Sequence, residues 1–171
     1  MDRGVKSTAN EGSREFESAA QQYLTFQIAE ELFAIPILSV KEIRGWEPVC
    51  KMPNAPAHVL GVINLRGDVV PVLDVRLRLS IARAEKTSTT VVIVVRVSAA
   101  GGNPTTVGCV VDAVSDVANI STANIRPPPA VCGVVAAQFI KGVSNLEQRL
   151  VILLDLLRLV TADAGYGAVA V

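Results

Sequence analysis

A chain of 171 residues with 16 Lys and Arg against 16 Asp and Glu is formally neutral, and no basic cluster stands out, which excludes the electrostatic footprint of a nucleic-acid binder. Half of the residues are apolar and the mean hydropathy is +0.43, yet runs such as TVVIVV (90–95) stop within a strand length, far short of the ~20 residues of a membrane helix. The length suits one domain or two small lobes with a real core.

Residues 1–20, rich in Gly, Ser, Asn, Glu and Arg, have no apolar period to hold them on a core, and a disordered tail is expected there. The segment has neither signal-peptide nor anchor character, so the expected location is cytoplasmic. From Tyr23 the pattern changes to short stretches rich in β-branched residues, YLTFQI, ELFAIP, HVLGVINL and DVVPVLDV, which read as strands of a small antiparallel sheet. Between them LSVKEIRG is expected as one helical turn ended by a left-handed Gly45. VRLRLSI (75–81) fits a strand by alternation or a short helix capped by Asp74.

ARAEKTST (82–89) is the expected joint, dividing a first lobe at about 21–81 from a second at about 90–161. Strands TVVIVVRVS, TVGCVVDAVSDV and RLVILLD follow, with GGNP (101–104) at a hairpin tip and RPPPAV as a stiff extended loop. LDLLRLVTAD suits a C-terminal helix N-capped by Asp155, and residues 162–171 a loose tail.

GVINLRGDVVPVLD (61–74) recurs as GVSNLEQRLVILLD (142–155), with Gly, Val, Asn, Leu, Val, Leu and Asp unchanged. The matches at Gly, Asn and Asp are not hydrophobic coincidences, and they point to a duplicated unit. Arg66 and Gly67 of the first copy become Glu147 and Gln148, so the shared positions read as structural and the lost ones as specific.

Motifs for chemistry are missing: neither GxSxG, GxxxxGK[ST] nor GxGxxG occurs. Cys50, Cys109 and Cys132 lie far apart with no CxxC pair and His58 is the one histidine, so no metal or cofactor is expected. Asp74, Asp112 and Asp155 each follow an apolar strand, and capping explains the repeated pair better than catalysis does. Glu42 in VKEIRG and Arg66 in NLRGD, beside Gly45 and Gly67, are expected to form an ion pair.

EIRG, GVINLRGDVVPVLDVR, TVVIVV, VGCVVDAVSDV, IRPPP and FIKGV, in this order, resemble the CheW family of bacterial chemotaxis coupling proteins over about residues 20–160. The resemblance implies an all-β fold of two five-stranded, SH3-like β-barrel lobes around a shared apolar seam, with short helices and a C-terminal helix. It also implies a non-catalytic adaptor holding the cytoplasmic tips of methyl-accepting chemoreceptors to the regulatory domain of the histidine kinase CheA, recruited to membrane-associated arrays without inserting in the membrane. Carried over residue by residue, it assigns Val40, Glu42, Arg66, Val91 and Val92 to the receptor groove. Val49, Met52, Ala57 and His58 are candidates for the kinase contact, and Gly45, Gly67, Asp74 and Asp155 for structural roles. The alternatives are a detached CheA-like regulatory domain and a small-ligand-binding β-barrel.

Overall fold

The computed structural model describes residues 20–129 and 137–161. The tails expected over 1–20 and 162–171 lie outside these residues except for Ala20, as do Cys132 and the RPPPAV stretch beyond Pro129.

Ten strands follow in order: β1 (Ala20–Ile28), β2 (Glu31–Pro36), β3 (Val40–Gly45), β4 (Val59–Leu65), β5 (Asp68–Asp74), β6 (Val91–Val97), β7 (Thr105–Val111), β8 (Ala113–Ser121), β9 (Ile140–Leu146) and β10 (Arg149–Leu154). Short helices α1 (Val75–Arg78) and α2 (Leu156–Thr161) follow β5 and β10. The strands form two five-stranded sheets, ordered β3-β6-β7-β5-β4 in a central lobe and β8-β1-β2-β10-β9 in a terminal lobe. A single bridge completes the turn of each sheet, Cys50 to Val62 in the central lobe and Arg126 to Val143 in the terminal one. The architecture is therefore all-β and barrel-like in both lobes.

The expected lobe limits are corrected. Residues 21–81 and 90–161 bound the two sequence repeats, and each repeat places its first two strands in one sheet and its last three in the other. The chain changes sheet at the 3-10 turn Ile37–Ser39 between β2 and β3, and at Asp112 between β7 and β8. TVGCVVDAVSDV is accordingly two strands, and ARAEKTST joins repeats within the central lobe. The exchange lets both sheets share one core: Leu24, Phe26, Phe33 and Ile35 meet Ile93, Val95, Val107 and Val111. Burying such side chains contributes roughly 1.5–3 kcal/mol each, which favours exchange over two separate small cores.

The seven repeated residues acquire reasons. A Cβ on Gly61, at φ +152°, would overlap the Cys50 carbonyl oxygen, and one on Gly142 would lie 2.8 Å from the Arg126 carbonyl oxygen, so glycine admits the closing bridge in both barrels. Val62 and Val143 are the bridge partners. The Gly67 amide donates to Asn64 Oδ1 at 2.9 Å across a two-residue turn whose residues Arg66 and Gly67 are left-handed (φ 51° and 92°), as are Glu147 and Gln148 (φ 48° and 67°). Leu65 and Leu146 pack on the separate cores of their own lobes, while Val70, Val151, Leu73 and Leu154 are buried. Asp74 accepts from the Arg76 amide and Asp155 from the Arg158 amide, capping α1 and α2.

LSVKEIRG differs from the expected helical turn: it is the 3-10 turn followed by β3, with Val40 and Ile43 favouring the extended chain. Gly45 ends that strand without a left-handed φ, and a Cβ there would meet nothing within 4 Å, so its expected structural role is corrected. VRLRLSI resolves to the helix α1.

Asp112 pins the second crossover. Arg76 Nε and Nη2 donate to its carboxylate at 2.8 and 2.5 Å, and the Ala29 amide donates at 2.7 Å. Burial pushes the Asp112 carboxyl up, but the Arg76 hydrogen bond, the Ala29 amide and the charges of Arg76 and Lys86 outweigh it and hold the group below the usual carboxylate range.

Candidate functional site

Glu42 lies on the edge strand β3, opposite Val94 of β6, just past a register shift after Val40. Arg66 sits in the β4–β5 turn, where the left-handed backbone turns its side chain back toward β3. Its Nη2 donates to Glu42 Oε2 at 2.8 Å, so two residues 24 apart in sequence meet as an ion pair. Glu42 is 22% exposed and Arg66 79%, which leaves the acid set into the lobe and the base free to move. Arg44 Nε lies 3.9 Å from Glu42 Oε1, and Arg44 in turn reaches Glu47 at 3.6 Å, giving a ladder of alternating charge along the edge.

The terminal lobe shows what is specific here. The register shift after Val40 on β3 has its counterpart after Val114 on β8, and two residues beyond each valine stands an acid, Glu42 or Asp116. The residue equivalent to Arg66 is Glu147, in the same left-handed turn position. Both lobes keep the acid, and only the central lobe has the base.

The structure does not bring the expected apolar groove residues together as one lining. Val40 and Val91 are half-buried against the shared core, toward opposite ends of the β3–β6 ladder. Val92 is 3% exposed and packs inside the central barrel with Val72, Val94 and Val110. Neighbouring residues of a strand point to opposite faces, so Val91 and Val92 cannot share a groove, and Val92 is corrected to core. Leu38, in the 3-10 turn two residues before Val40, is 95% exposed, and Ile43 on β3 is 43% exposed. Sequence reasoning missed both; the signal was an apolar residue at a position the period did not require for the core.

Val49, Met52, Ala57 and His58 all fall on the connection between β3 and β4 in the central lobe. Met52 is 39% exposed and Ala57 is exposed, whereas Val49 packs against the barrel core. His58 Nε2 lies 3.2 Å from Arg78 Nη1; that guanidinium is buried, donates to the Leu159 carbonyl at 3.0 Å and stacks over Phe139 at 4.7 Å. His58 thus stands where α1 meets α2. Cys109 is buried, which pushes its thiol up to about 12, while Cys50 is exposed. Among the described residues no three His, Cys, Asp or Glu side chains group as a metal site, and no helix is long and apolar enough to cross a membrane.

Comparison with known proteins matches residues 22–164 to the CheW-like domain family. The chain is 38% identical over 156 residues to a probable chemotaxis protein CheW of Rhizobium etli, covering 91% of this chain and 92% of that protein. It is also 38% identical over 144 residues to the chemotaxis protein CheW of Rhizobium meliloti, covering 84% and 90%. Among solved structures, the scaffolding protein TtCheW of Thermoanaerobacter tengcongensis superposes with a TM-score of 0.73 at 30% identity, over 82% of this chain and 92% of that one.

Proposed function

The chain belongs to the CheW family of chemotaxis scaffold proteins, and on that premise we propose that it couples the cytoplasmic tips of chemoreceptors to the regulatory domain of the histidine kinase CheA without catalysing a reaction. The observation that carries this reading is the Glu42–Arg66 pair, formed in one lobe while its counterpart positions hold Asp116 and Glu147. Equal lobes with unequal charge make one end of the molecule a docking site and leave the other end different.

The receptor surface we propose comprises Val40, Glu42, Arg66 and Val91, with Leu38 and Ile43 added as exposed apolar contacts. A helical hairpin takes its affinity from such apolar contacts and its register from the charged pair. The kinase contact is placed on Val49, Met52 and Ala57. Exposed apolar residues also recur in repeat-related pairs, Val69 (71%) with Leu150 (49%) and Ile43 with Val117 (45%), which supports barrel-to-barrel contact with a related domain.

Co-sedimentation of the purified chain with receptor-tip fragments and CheA tests the reading, with kinase activity followed in parallel. The full chain is expected to bring kinase into the receptor pellet, and Leu38→Asp with Ile43→Asp, at exposed positions, to weaken this sharply while far-UV circular dichroism stays native. Undiminished recruitment by the folded double variant removes these residues from the receptor surface, and no recruitment by the unsubstituted chain removes the coupling function.

A further inference from the structure

The two crossovers between the sheets correspond residue for residue, and an acid fills only one of them. Asp112 and Leu38 each stand two residues before the valine at the register shift, where Val114 pairs with Phe26 and Val40 with Val95. Three residues beyond those partners stand Ala29 and Ser98, and two residues beyond the capping aspartates stand Arg76 and Leu157. At the first crossover the Asp112 carboxylate accepts from the Arg76 guanidinium and the Ala29 amide. At the second, Leu38 replaces the acid and turns away, 95% exposed, and Leu157 replaces the arginine. A pocket of about 260 Å³ lies there, lined among the described residues by Ser39, Ser98 and Leu157 together with Arg96, Lys141 and Asp155.

The charges of the two places differ in the same sense. Around Asp112 two carboxylates, Asp74 and Asp112, pair with two cations, Lys86 and Arg76. In the pocket the cations come from other positions, Arg96 of β6 and Lys141 of β9. Both are exposed, and neither is in an ion pair among the described residues. The acid of the lining, Asp155, already caps α2 and lies 3.7 Å from Arg158. We propose that this pocket binds one carboxylate, carried by an acidic side chain of a docked polypeptide, whose oxygens meet the Ser98 amide, Arg96 and Lys141 as those of Asp112 meet Ala29 and Arg76. The volume is below the roughly 300–1,000 Å³ of sites that enclose a small molecule, and it suits a single side chain. Leu38, next to Ser39 of the lining, offers an apolar contact to the residues flanking that acid. Identifying the polypeptide as a receptor rests on the function proposed above, whereas the chemistry of the pocket does not.

Three probes are titrated at constant ionic strength into the isotope-labelled full chain while the Ser98 amide resonance is followed by NMR: the blocked tripeptides acetyl-Leu-Glu-Leu-amide and acetyl-Leu-Gln-Leu-amide, and sodium acetate as the free anion. The Glu peptide is expected to move the resonance saturably, with a midpoint about tenfold lower than that of the Gln peptide or of acetate. Arg96→Gln with Lys141→Gln, both at exposed positions, is expected to abolish the difference between the two peptides. No saturable shift, or equal midpoints for the Glu and Gln peptides, overturns the proposal. An acetate midpoint as low as that of the Glu peptide overturns the polypeptide as the source of the carboxylate. Neither receptor nor kinase is present, so a failure here leaves the co-sedimentation result standing, and a failure of co-sedimentation leaves the pocket standing.

Discussion

Reversing Arg66 separates a recognition role from a stabilising one. Its side chain is 79% exposed, so the 2.8 Å contact with Glu42 is screened by water and contributes about 0–1 kcal/mol to folding. Arg66→Glu is therefore expected to shift the melting temperature by no more than about 4 °C in a chain of this size. The backbone is no obstacle, because Glu147 already occupies the equivalent left-handed position at φ 48° in the other lobe. Under a receptor helix the same pair loses its water, and removing one member of a covered pair costs about 2–5 kcal/mol, or roughly 30-fold or more in affinity. Calorimetric melting together with receptor-fragment titration measures both quantities on the same samples.

Glu42→Arg with Arg66→Glu should restore much of the lost binding but not all of it. The exchanged cation then stands beside Arg44, whose Nε is 3.9 Å from the present Glu42 carboxylate. A like-charge contact at an exposed edge leaves a residual deficit of about 0.5–1 kcal/mol. Arg44 has Glu47 at 3.6 Å as a second partner, which limits the deficit. A double variant that binds no better than either single one refutes the coupling. A fall in melting temperature beyond about 10 °C for Arg66→Glu alone refutes the claim that the pair is peripheral to folding.

Gly61→Ala and Gly142→Ala each place a methyl group against the backbone that closes a barrel, and each is expected to destabilise the fold by about 2–4 kcal/mol in denaturant titrations. A loss under about 0.5 kcal/mol for both would show that the bridges do not hold the barrels closed. Asp112→Asn removes the charge that Arg76 and the Ala29 amide hold, with an expected cost of about 1–3 kcal/mol at neutral pH, toward the low end because the Asp112 side chain is 31% exposed. Since the folded-state value of Asp112 lies below the unfolded one, its stabilisation is present above about pH 4 and lost as the pH falls through the folded value, so the gap between the two proteins should narrow in acid. A gap that stays constant down to pH 2 contradicts this assignment.

The local structure was legible wherever one residue type carries one physical job. The β1–β2 and β6–β7 hairpins and both helix caps follow from β-branched runs, turn residues and capping aspartates, and the Glu42–Arg66 contact from opposite charges beside glycines, with Arg66 lost from the second copy of the repeat. Strand exchange was not legible, because the chain bends at the single residue Asp112 and nothing in VVDAV distinguishes a strand that continues from one that changes sheet. The same limit applied to VKEIRG, whose six residues are too few for a period of 2 to be told from one of 3.6. Val91 and Val92 were assigned together by resemblance, although alternation along β6 already separates their faces. Gly61 and Gly142 were visible as a repeated residue, but the carbonyl each must admit comes from a segment outside the repeat pattern.

The duplication also accounts for the charge asymmetry between the lobes. A tandem repeat that exchanges strands cannot let one lobe drift freely, because each repeat supplies strands to both sheets and the shared core fixes their mutual fit. What remains free is the tip of each hairpin, where the two turn residues contact no core and only the left-handed backbone is required. Arg66 and Glu147 both occupy the first left-handed position (φ 51° and 48°), so the charge there was open to change at similar backbone cost, whereas Gln148 bears a steric cost that Gly67 does not. In the central lobe the turn residue Arg66 pairs with the acid of β3, whereas in the terminal lobe the turn carries Glu147 and Asp116 accepts from the Val117 amide instead. On the proposed receptor surface, partner preference is therefore expected to change at the turn residue Arg66 before it changes in β3 or β6.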